Sequence, residues 1–137
     1  MNDPRKERPC EAVIPASMAR TAGSYQYSPG VVVPAGNLLF VSGQIGRDAS
    51  GNVVLDPEQQ FVAAFENLLS ILAEAGATMA NVVEITTFHT SMADLAIFAK
   101  VKGRYLDTTP YPAWTAIGIT ELALPGVLVE IKATARL

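Results

Sequence analysis

Between Asp56 and Gly76 the sequence marks out one helix together with both of its ends. Asp56 supplies a carboxylate for the first free N–H groups, Pro57 suits the first helical position, and Gln59 stands where it can reach back to the cap. Phe61, Phe65, Leu68, Leu72 and Ala75 then recur at helical spacing along one face. Gly76 offers the left-handed residue that stops the helix. A helix with a single apolar stripe needs a broad apolar surface to lie on, and the rest of the chain supplies strands for that purpose.

Leu38 to Gln44 is rich in β-formers and ends before Gly46. Val82 to Thr90 alternates with period two, placing Val83, Ile85, Thr87 and His89 on one face and Glu84, Thr86 and Phe88 on the other. Ser91 with Asp94 can open a second helix carrying Leu95, Phe98, Val101 or Lys102, and Tyr105 along one side. Trp114 to Thr120 and Val127 to Arg136 read as two further strands around Leu124-Pro125-Gly126. Gly30 to Val33 is a short strand entering the turn Pro34-Ala35-Gly36-Asn37. Residues 1–24 are dense in charge and lack periodicity, which predicts a mobile arm ahead of a single domain over 25–137.

The resulting order, β-β-α-β-α-β-β, predicts an α+β protein with two helices packed on one face of a mixed sheet. In the last strand Val129, Ile131, Ala133 and Ala135 would face the helices, and Leu128, Glu130, Lys132 and Thr134 would face away. That second face is half-apolar, with Leu38 and Phe40, or Trp114 and Ala116, available to share it. A half-apolar face without helices of its own predicts that another subunit covers it.

Composition narrows the partners. Ten Lys and Arg against thirteen Asp and Glu give net charge −3 and no basic run, a poor match to nucleic acid or anionic lipid. One Cys and one His cannot build a multi-ligand metal site, so no structural metal is expected. No apolar stretch approaches the ~20 residues of a membrane span. The opening MNDPRKERPCEAV has no apolar core like that of a secretory signal. A soluble, cytoplasmic protein is expected.

Val41-Ser42-Gly43-Gln44, Thr86-Thr87-Phe88, Tyr111-Pro112-Ala113 and Val129-Glu130-Ile131-Lys132-Ala133 occur in an order and spacing that resemble the RidA (YjgF) family. These are the reactive intermediate deaminases, also called L-PSP endoribonuclease-like proteins. Phe88-His89-Thr90 and the run from Pro110 to Gly118 look most like the YjgH-type branch. The resemblance implies a chorismate-mutase-like fold and a homotrimer. Its central barrel would be built from the second sheet faces, with small-molecule clefts between subunits and no cofactor.

In active members an arginine follows the Pro-Ala pair and grips the substrate carboxylate; here that place holds Trp114, followed by Thr115 and Ala116. An indole offers one N–H and an apolar face, and cannot replace a planar cationic fork. Glu130, which the resemblance assigns to holding the attacking water, is retained, and Tyr25 matches a cleft-lining tyrosine. Gly43 and Thr115 complete the positions that the resemblance brings to the cleft.

Each candidate has an alternative role. Glu130 can shuttle a proton for water attack or pair with Lys132. Trp114 can wall a ligand site or pack in the core or an interface. His89, the sole histidine, can act as acid–base group or as a hydrogen-bonded packing residue. Cys10 lacks the setting of a nucleophile. The leading expectation is hydrolysis of a C=N bond in a reactive metabolite, with specificity altered at Trp114. The alternative is a non-catalytic trimeric small-molecule binder; ribonuclease action is disfavoured by the acidic balance and the absence of a His pair.

Overall fold

The computed structural model describes residues 9–137. Its elements are β1 (Glu11–Val13), α1 (Ala19–Tyr25), β2 (Gly30–Val32), β3 (Leu38–Gln44), α2 (Pro57–Glu74), β4 (Val82–His89), α3 (Leu95–Tyr105), β5 (Ala113–Gly118) and β6 (Val129–Arg136). From β2 onward the order is the expected one, an α+β fold. The main sheet has four strands in the order β3-β6-β4-β5; only β4 and β5 run parallel, as the helical crossover between them requires. No helix among the described residues is long and apolar enough to cross a membrane.

The stripe on α2 settles as its spacing dictates. Asp56 accepts a hydrogen bond from the Gln59 amide at 3.0 Å, and Gly76 takes φ 75° just past the helix end. Phe61, Phe65, Leu68 and Leu72 are fully buried against Val129, Ile131, Ala133 and Ala135 of β6, whereas Ala75 is exposed. Phe98 of α3 joins the two helices, with its ring centroid 5.6 Å from those of both Phe61 and Phe65.

The other sheet face is left uncovered by the described residues. Its cross-strand rows run Phe40–Thr134–Glu84–Ala113 and Glu130–Phe88–Ile117. Phe40 is 72% exposed, Leu38 is exposed beside it on β3, and Ile117 is exposed on the opposite edge strand β5.

Two expectations need correction. Residues 1–8 of the expected arm lie outside the described residues, but from Glu11 the chain forms β1, which pairs with β2, and then α1. Cys10 and Ala22 are buried, so this stretch is anchored by long-range contacts that local periodicity does not reveal. Second, Trp114 does not share the open face with Phe40. The parallel register sets Trp114 opposite Ile85, which turns its indole towards the helices and leaves Ala113, Thr115 and Ile117 on the open side.

Candidate active site

A hollow of about 250 Å³ opens where β3 ends, lined by Gly43, Gln44, Arg47, Asn67, Val127 and Glu130 among others. The β3–β6 ladder is irregular between Val41 and Gln44, and this bulge carries Gly43 beside Glu130. A Cβ at Gly43 would lie 2.5 Å from Glu130 Oε2, so the missing side chain is what lets the carboxylate rest against the strand. Glu130 is half-buried, and neither Lys132 nor any other described cation pairs with it.

Two amides of α2 set the walls of this hollow. Gln60 is wholly buried. It donates to the carbonyls of Val54 and Gly126, both at 2.9 Å, and accepts from the Leu128 amide at 2.7 Å. Two turns later, Asn67 donates to the Ile45 carbonyl at 2.8 Å and to that of Arg47 at 3.4 Å. Gly46 packs so closely on the Gln60 backbone that a Cβ there would collide with it. Neither amide stands out in the sequence by residue type, although Gln60, Ala64 and Asn67 continue at helical spacing along the edge of the apolar stripe.

The other candidates gather elsewhere. Trp114 Nε1 donates to Thr87 Oγ1 at 3.0 Å, and Thr87 Oγ1 lies 2.7 Å from His89 Nε2. His89 is buried against the Phe98 ring, and its Nδ1 has no hydrogen-bond partner. Burial lowers its pKa below the ordinary 6.5, with the nearby Asp94 charge opposing. The Lys102 ammonium sits 4.5 Å over the Trp114 ring and donates to the carbonyls of Tyr25 and Gln26, at 3.1 and 2.6 Å. Burial pushes the Lys102 pKa down to about 8, while the carbonyls at the α1 C-terminus accept hydrogen bonds from its ammonium.

Of the residues singled out in the sequence, Glu130 and Gly43 therefore meet at the hollow. His89 and Trp114 join through Thr87 in the interior, and the backbone of Tyr25 is tied to that group by Lys102. The Tyr25 side chain is exposed, and Thr115 stands exposed on the open face. No group of three or more His, Cys, Asp or Glu that could hold a metal occurs among the described residues.

Comparison with known proteins gives consistent relatives. The family model described as Endoribonuclease L-PSP matches residues 18–137. The RutC family protein YjgH of Escherichia coli is 39% identical over 127 residues, covering 92% of this chain and 94% of that relative. The 2-iminobutanoate/2-iminopropanoate deaminase of Dermatophagoides farinae is 32% identical over 95 residues, covering 66% of this chain and 71% of its own. Among solved structures, a protein of unknown function of the conserved Rid family, YyfB from Yersinia pestis, superposes with TM-score 0.84 at 32% identity. That match covers 94% of this chain and 99% of the other.

Proposed function

Because this chain belongs to the Endoribonuclease L-PSP family, the Rid/YjgF proteins, we propose that it is a cytoplasmic enamine/imine deaminase, hydrolysing the C=N bond of a reactive metabolite at Glu130. The observation that carries this reading is the Glu130 carboxylate, without an ion-pair partner among the described residues, held against Gly43 at the wall of a small-molecule-sized hollow. The relative named for imine deamination supports the reaction type.

Glu130 takes a proton from a water as the water oxygen bonds to the substrate carbon and the C=N electron pair moves onto nitrogen. Returned to that nitrogen, the proton completes a carbinolamine. Glu130 then passes the carbinolamine hydroxyl proton to the same nitrogen as the C–N bond breaks and the carbonyl forms, so that ammonia departs. No metal or cofactor is needed for these steps.

The assembly that fits is a homotrimer with a chorismate-mutase-like central barrel. Phe40, Leu38 and Ile117 would bury their exposed surface on the same faces of two further copies. In such a ring the β5 edge, whose open face bears Thr115, and the exposed Tyr25 side chain would approach the Glu130 hollow of the next copy, while Trp114 stays packed behind them. Trp114 brings no charge to the place where active relatives hold a carboxylate, so small α-imino acids should be poor substrates.

The test is ammonia release from a panel of freshly generated imines, including a 2-aminoacrylate-type imine, together with sedimentation of the protein. Saturable hydrolysis of a larger imine by a trimer is expected, with slow action on the α-imino acid. Failure to accelerate hydrolysis of any imine overturns the deaminase reading, fast turnover of the α-imino acid overturns the specificity, and a monomer overturns the assembly.

A further inference from the structure

The Glu130 hollow has a second charged residue, and nothing in the chemistry above employs it. Arg47 lines the same hollow from the loop after β3. Its backbone is fixed from several sides. Its carbonyl accepts from Asn67, its amide donates to the Ile45 carbonyl at 3.0 Å, and it bridges to Val53 across the loop. The adjacent carboxylate is already engaged, since Asp48 Oδ1 accepts from the amides of Ser50 and Asn52 at 2.9 and 3.0 Å. Among the described residues no carboxylate forms an ion pair with the Arg47 guanidinium, Glu130 included. A fixed loop thus holds an arginine at a hollow that also carries the Glu130 carboxylate, with the two charges beyond ion-pair distance of each other.

A hollow with unlike charges set apart on its walls is complementary to a molecule with unlike charges set apart along its length. We propose that Arg47 is a specificity-determining residue that holds the anionic end of the ligand, so that this hollow takes a small zwitterion-like molecule. Its carboxylate would lie on Arg47 and its nitrogen-bearing end at Glu130, several bonds away. The guanidinium fork suits a carboxylate through paired, charge-assisted hydrogen bonds. Trp114 supplies no cation and lies on the other face of the sheet, so the anion-holding place is shifted, from one beside the reacting carbon to one remote from it. The proposal rests on the deaminase reading for the identity of the nitrogen-bearing end as an imine.

The test uses 5-aminopentanoate, a stable molecule with ammonium and carboxylate at opposite ends of a short chain. Alanine is the close-spaced control, and pentylamine and pentanoate are the single-charge controls. Calorimetry and amide NMR shifts would be recorded for the wild type, Arg47→Gln and Arg47→Lys, with matched melting curves confirming that the exposed substitutions leave the fold intact.

Binding of 5-aminopentanoate with shifts at Gly43, Arg47 and Asn67 is expected. Arg47→Gln should weaken it about tenfold or more, and Arg47→Lys should retain part of the affinity. Equal binding by Arg47→Gln, equal binding of alanine, or no binding of 5-aminopentanoate to the wild type would overturn the proposal. Arg47-dependent binding in a protein that hydrolyses no imine would overturn only the deaminase reading. Hydrolysis with Arg47-indifferent binding would overturn only the proposal made here.

Discussion

Glu130 with Gly43 and Arg47 forms one group of polar residues, and Lys102, Trp114, Thr87 and His89 form another. Both contain residue types that carry out chemistry, yet their surroundings differ. The first borders a hollow, and its charges find no described partner. The second lies under α3, with the Trp114 N–H and the Lys102 ammonium given to neighbours and His89 shut away from water. Residue type nominates a site; access to a ligand and unspent bonding capacity decide between nominees. The interior group acts instead as a polar brace that fixes α1 to α3 and orders the end of β4.

Variants can sharpen this division. Gln60→Ala should be the most damaging, because it leaves two carbonyls and one amide unpaired at the loops around the hollow. A loss of about 3 kcal/mol or more in urea unfolding is expected. Thr87→Val tests the brace by stranding the Trp114 N–H and His89. About 1–3 kcal/mol should be lost with turnover per folded molecule unchanged, and a turnover loss without a stability loss would break the division.

Gly43→Ala should do the reverse. The added methyl meets the movable end of Glu130, so the carboxylate swings aside, turnover falls about tenfold or more, and unfolding changes by less than about 1 kcal/mol.

The smallest effect concerns pH. His89 has a folded-state pKa below its unfolded value, so below pH 6.5 the unfolded chain binds the extra proton more readily. Stability should fall as pH drops through 6.5 towards the folded pKa. The melting temperature of His89→Phe should decline less over the same range, and equal slopes would place the histidine outside the brace.

Much of this arrangement was legible in the sequence. The α2 stripe and caps, the two faces of β4 and β6, and Glu130 on the open face follow from spacing alone. Trp114 was harder, because Ala113 to Gly118 alternates weakly and its phase is set by parallel pairing with β4. The stretch from Glu11 to Tyr25 was missed because its order comes from pairing with β2 and from Lys102, both distant in the chain. Arg47 and Asn67 carry no signal in the sequence, because an exposed loop arginine and a helical asparagine acquire meaning only once the loop after β3 sets them around the hollow that Glu130 also lines.

The most direct test is ammonia release from one responsive imine by Glu130→Gln and His89→Phe, assayed side by side with folding verified for each. Glu130→Gln should lose activity by about 10²–10⁴-fold while melting like the wild type, and His89→Phe should keep its turnover per folded molecule. Full activity in Glu130→Gln, or abolished activity in a folded His89→Phe, would contradict the assignment of the chemistry to the hollow.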